Sequence, residues 1–130
     1  MEKKIRDFTE LEVWKRAHSL RLEIYKFVEF LPQEEKFNRI DQLKRSVSSV
    51  PANIAEGFGR YHYQENIQFC RQARGSLEET KDNLIAARDL NQAPKNECER
   101  LIGSCDDVRK LLNGYIRYLK DKKDSNDNNQ

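Results

Sequence analysis

Two histidines, three cysteines and three pairs of adjacent carboxylates are the side chains of this chain that could support acid–base, nucleophilic or metal chemistry. His18 has Lys15 three residues before it and His62 has Gly59, so the Glu-x-x-His spacing by which helical bundles hold paired metal ions is missing. Cys70, Cys98 and Cys105 show no Cys-x-x-Cys spacing and fall at core-like helical positions, where a free thiol behaves as a small hydrophobe. Glu34 and Glu35, Glu78 and Glu79, and Asp106 and Asp107 are sequence neighbours that diverge by about 100° on a helix, so they are expected on solvated faces rather than converging on a substrate. No glycine-rich phosphate loop occurs, and no Ser-His-Asp or Cys-His set can be assembled. A protein without catalytic residues, cofactor or metal is expected.

Two other patterns point to binding. Gln42, Ser46, Ser49, Asn53, Glu56 and Arg60 recur at alternating four- and three-residue steps, a second helical stripe rotated roughly 120° from the apolar one. Its members are mostly small and carry amides or hydroxyls, with Ser48, Ala52 and Ala55 beside them, as a close polar contact requires. Together with Arg45 it is expected to form a subunit interface or a ligand-facing groove, with Glu56 and Arg60 paired at i, i+4. The bland alternative is that the serines satisfy backbone groups freed by Pro51. The second pattern is basic: Arg109, Lys110, Arg117, Lys120, Lys122 and Lys123 face a single acid, Asp121, across residues 109–123, with Tyr115 and Tyr118 between them. Such a patch can bind RNA phosphates, or simply complement a helix C-terminus.

The elements that hold these residues are helices. The charged fraction is 35%, the hydrophobic fraction 37%, and only 5 glycines and 3 prolines occur in 130 residues, the balance of long amphipathic helices. The 24 basic and 22 acidic residues nearly cancel, so only a local patch can attract nucleic acid. Thr9 with Glu12 reads as a capping box, with Phe8 and Val13 as the hydrophobic staple. Val13, Ala17, Leu20, Ile24, Phe27 and Leu31 then form a stripe, with Trp14 as a core anchor and Pro32 as the stop. Asn38 caps a second helix with core residues Ile40, Leu43, Val47, Val50, Ile54 and Phe58; Pro51 is expected to kink it, and Gly57 and Gly59 to close it. Ile67, Cys70, Ala73, Leu77, Leu84 and Ala87 mark a third helix from about Tyr63 to Leu90. Cys98, Leu101, Cys105, Val108, Leu112, Tyr115 and Leu119 mark a fourth after Pro94. Short connections between long helices predict an all-α, antiparallel up-down-up-down four-helix bundle. Residues 1–8 read as a polar lead-in, 9–123 as the bundle and 124–130 as a disordered polar tail. No apolar run follows Met1 and none is long enough to span a bilayer, so a cytoplasmic protein is expected.

The helix-two stripe also carries a resemblance. Gln42, Arg45 and Ser46, then Ser49, Val50, Pro51, Ala52, Asn53, Ile54, Ala55, Glu56 and Gly57, followed by Gly59 and Arg60, resemble the four-helix bundle proteins associated with 23S ribosomal RNA intervening sequences. The likeness extends to Phe8, Leu11, Val13, Trp14 and Ala17, to Pro32 and Glu35, and to Glu65, Phe69, Ala73, Gly75, Ser76 and Glu79. His62 departs from the Ser or Thr usual in that family, and Thr80 from its leucine. The resemblance implies a homopentamer and a distant similarity to the accessory variability protein of retroelements, which binds a reverse transcriptase and RNA. The function expected is that of a non-enzymatic oligomeric bundle binding RNA or an RNA-associated, reverse-transcriptase-like protein. A scaffold for proteins alone is the alternative.

Overall fold

Asp7 starts the folded chain. In the computed structural model, which describes residues 4–128, its carboxylate accepts from the backbone N–H of Thr9, while Glu10 accepts from the backbone N–H groups of Asp7 and Arg6. The capping box is therefore Asp7 with Glu10, not Thr9 with Glu12, and it opens a 3-10 turn, Phe8–Glu10. Thr9 spends its hydroxyl on Asp7, and α1, Glu12–Phe27, begins after an extended Leu11 that makes no side-chain cap. Phe8 meets Trp14 edge-on, with ring centroids 5.2 Å apart, and Trp14 stacks on His18. Trp14 is only half-buried; it covers the core edge instead of anchoring the core.

Val13, Ala17, Leu20, Ile24, Phe27 and Leu31 are all buried, as their spacing predicts. The helix tightens into a 3-10 turn at Val28–Phe30, and Leu31 turns extended before Pro32, whose ring crowds the preceding residue out of the helical region. Asn38 occupies the N-cap of α2, Arg39–Phe58, without capping it. Glu35 caps instead, accepting from the Arg39 backbone N–H at 3.2 Å and from the Asn38 amide at 2.9 Å. Helix α2 continues through Pro51, which is itself buried. Gly57 lies inside α2 rather than ending it: a Cβ there would come 2.6 Å from Asn66 Oδ1 and 2.9 Å from the Phe69 Cβ. Its bareness lets α2 and α3, Tyr63–Asp89, approach closely.

Helix α4, Lys95–Asn128, buries Cys98, Leu101, Cys105, Val108, Leu112 and Leu119, with Ile116 taking the buried place expected of Tyr115, which is half-buried. It runs five residues past Lys123, so residues 124–128 of the expected tail are helical. Lys120 and Asp124 stand at i, i+4 spacing there. Residues 1–3 and 129–130 lie outside the described residues.

The four helices share one core, α1 packing on α2 and α4, and α3 on the same two. Ser49 bonds Ser76 and Ser46 bonds Thr80, so position along α3 rises as position along α2 falls. Arg74 with Asn113 and Lys81 with Asp106 show the same order between α3 and α4. No helix of the described residues is long and apolar enough to cross a membrane.

Candidate functional site

The polar stripe of α2 divides when folded. Ser46 is 4% exposed and shares a 2.8 Å hydrogen bond with Thr80, which is fully buried and donates to the Ser76 carbonyl at 2.9 Å. Ser49 accepts from the Ser76 hydroxyl and from the Asn53 amide. Two members of the stripe, Ser46 and Ser49, thus form a seam against α3 of the same chain, which accounts for their small size, while Asn53 bonds back along α2 to Ser49. The threonine at 80 is the residue that makes it possible: a leucine there would leave the Ser46 hydroxyl with only the Leu43 carbonyl at 3.4 Å. Gln42 donates to Asn38. Arg45 is exposed and pairs with Asp41, and Arg60 pairs with Glu56 at 3.0 Å with both side chains about half-exposed. Such pairs contribute less than about 1 kcal/mol in the single chain.

The basic set divides as well. Arg109 sits mid-helix, held by Glu78 and Asp106 at 3.1 Å each, about 21 Å from Lys123 at 1.5 Å rise per residue. Asp106 also accepts from Lys81 at 2.8 Å; that hydrogen bond, followed by the charges of Lys81 and Arg109, holds its carboxyl below the usual range against the opposing effect of burial. The carboxylate pairs are therefore not simply solvated: Glu35 bonds Gln92, Glu78 bonds Arg109, Asp106 bonds Lys81, and Asp107 pairs with Arg16 of α1 at 3.8 Å. Lys110, Arg117 and Lys120 are exposed, and Lys122 lies over the Tyr118 ring, 5.6 Å from its centroid. Lys123 is half-buried beside it in sequence. His18 accepts from Arg21 and stacks on Trp14, and His62 holds the N-cap of α3 without a side-chain cap. The three cysteines are buried, which pushes the thiols of Cys70 and Cys105 up to about 12. Among the described residues no group of three or more His, Cys, Asp and Glu is placed to hold a metal ion.

What the folded chain does assemble is a cleft of about 730 Å³ at the end of the bundle where α2 turns into α3 and the last third of α4 passes. The close approach at Gly57 sets Phe58 and Arg60 beside the first turn of α3, and the connection carries Tyr61, His62 and Tyr63 into the opening. Tyr61 is 93% exposed and Tyr118 49%. Asn66, 7% exposed, forms part of the wall and donates to the Tyr115 hydroxyl at 3.3 Å. Burial keeps that phenol protonated, pushing it up to about 12, against the lowering effect of the Asn66 bond. Tyr115 and Tyr118 lie nearly parallel, 15° apart with centroids 6.2 Å from each other. Lys4 and Arg60 contribute to the lining, and the Arg60 guanidinium is steadied over Phe69 at 4.8 Å. No carboxylate or thiol lines the cleft among the described residues. The lining sets aromatic faces beside cations, a combination that suits a planar ring attached to an anion. Sequence reasoning reached Tyr115, Tyr118 and Arg60 by separate routes but missed Tyr61, Tyr63 and Asn66; the run Tyr61-His62-Tyr63 in a short connection was the available signal.

Fold and cleft define the class: an all-α four-helix bundle with an aromatic opening at one end. The chain belongs to the 23S rRNA-intervening sequence protein family, which it matches over residues 9–114. Among solved structures it is similar to a crystal structure of a protein with unknown function from the S23 ribosomal protein family of Bacteroides thetaiotaomicron. The identity is 22%, the TM-score 0.72, and the match covers 80% of this chain and 97% of that one. At that identity the likeness speaks for the fold alone. No curated protein matches the chain significantly.

Proposed function

We propose that this protein is a non-enzymatic, oligomeric, cytoplasmic bundle that binds RNA through the end formed by the α2–α3 connection and the C-terminal part of α4. The observation that carries this reading is the aromatic cleft with Arg60 and Lys4 in its lining and Lys122 on its Tyr118 wall. Lys120 and Lys123, on the same turns of α4, extend the positive charge toward the helix end. The family's description, which names 23S rRNA, supports the choice of polymer. Self-assembly would cover large apolar side chains that stand open in the single chain, Leu22 at 53% and Phe37 at 89% exposure. Assembly about a symmetry axis would repeat the basic end and multiply its attraction for phosphate.

Salt tests the reading. Phosphate contacts release counterions, so RNA affinity should fall steeply and linearly on a log–log plot as salt rises. A protein that shows no RNA binding at low salt is instead a scaffold for other proteins.

A further inference from the structure

We infer that the end cleft accepts an unpaired nucleobase, so that the protein selects single-stranded over duplex RNA. This rests on the RNA-binding reading and narrows it to one substrate class.

A paired helix offers phosphates and groove edges, and cations on a convex surface suffice to bind it. Tyrosine faces are of no use to a stacked base, whereas an extruded base needs them. Here the exposed ring of Tyr61 and the half-exposed ring of Tyr118 both belong to one cleft, whose volume of about 730 Å³ exceeds the needs of a single base and its sugar. Polar groups are placed deeper. The Asn66 amide uses one N–H on the Tyr115 hydroxyl, and that hydroxyl, accepting from Asn66, retains a proton to donate to a base edge. Cations share the lining with these rings. Arg60 spends one N–H on Glu56 and keeps the rest of its fork, and Lys4 contributes to the same lining. Lys122, lying over the Tyr118 ring, adds a cation at that wall. Stacking surface, a polar wall and a cationic flank are the three parts of a single-strand binding site.

The test compares a short labelled RNA oligonucleotide with the duplex it forms with its complement, by fluorescence anisotropy across a salt series. Wild type should prefer the single strand. Tyr61→Ala and Tyr118→Ala should each weaken single-strand binding roughly ten-fold while leaving the salt slope unchanged, because stacking releases no counterions. Tyr118→Phe should stay close to wild type, since it keeps the ring. Both tyrosines have exposed rings, and circular dichroism checks that the alanine variants keep their helicity. Salt-sensitive binding with equal affinity for duplex, or with the alanine variants unaffected, overturns the base-stacking inference and leaves RNA binding standing. Absence of any RNA binding by wild type overturns both.

Discussion

Gly57 and Gly103 are the same residue type inside helices of the same bundle, yet adding a methyl group should move stability in opposite directions. At Gly57 the new carbon meets Asn66 Oδ1 at 2.6 Å, the Phe69 Cβ at 2.9 Å and a backbone oxygen at 3.1 Å. Gly57→Ala should therefore destabilise by about 1–3 kcal/mol, the usual cost of overpacking, despite the better helix propensity of alanine. It should also disturb the cleft, because Asn66 is the residue displaced. At Gly103 nothing lies within 4 Å, so Gly103→Ala should stabilise by about 0.5–1 kcal/mol. Urea denaturation of the two variants reads both signs. The glycine signal was visible in the sequence but its meaning was not: a helix-ending glycine and a close-packing glycine are identical letters, and only the partner helix distinguishes them.

Between elements, the seam of α2 and α3 is a buried polar contact that has to be satisfied in full. Thr80→Val removes the acceptor that Ser46 uses, leaving a buried hydroxyl with a 3.4 Å contact, and should cost about 1–3 kcal/mol. Ser46→Ala in the same background should recover part of that loss, since both partners are then apolar; strict additivity in a double-mutant cycle would show that the two hydroxyls are not coupled. A second tie joins the start of α2 to the end of α3. Glu35 accepts from the Arg39 backbone and from Gln92, while the Arg39 side chain donates to Gln92 and Asn83. The Arg39 backbone bond, with help from the Gln92 and Asn38 side chains, depresses the Glu35 carboxyl although burial opposes it. A depressed carboxyl contributes stability that is fully present above its unfolded pKa and lost as pH falls through its folded one. The melting temperature of wild type should thus drop on acidification through the carboxylate range, and Glu35→Gln should flatten that drop while lowering the value at neutral pH. Identical acid limbs in the two proteins would remove Glu35 from the account. The apolar stripes of all four helices were legible because burial repeats with the helical period. The caps were misassigned by a few residues, since Asp7 and Glu35 act from short 3-10 turns that no periodicity marks. The polar stripe was recognised as organised, but its partner could not be read from α2 alone; Thr80, noted as a departure from leucine, held the answer.

For the molecule as a whole, the distribution of charge matters more than its near-zero sum. The midsection of α4 spends Arg109 on Glu78 and Asp106, whereas the last turns carry Lys120, Lys122 and Lys123, of which Lys122 lies over the Tyr118 ring at the aromatic opening. Grouping all six cations by sequence proximity hid this division, because a helix carries residues 14 positions apart to sites about 21 Å distant. The cleft was the least legible feature, as it draws on the N-terminal segment, the α2–α3 connection and α4, which meet only in three dimensions. The central claim is that this end of the bundle binds RNA, and its most direct test is the salt dependence of RNA binding by wild type and by the Lys120→Gln, Lys122→Gln, Lys123→Gln triple variant. Wild type should bind in a salt-sensitive way, and the variant should bind more weakly with a log–log slope shallower by up to about 2, at unchanged helicity, from roughly 0.7 per lost single-strand phosphate contact. A variant with the affinity and slope of wild type, or a wild type that ignores RNA at low salt, would contradict that claim.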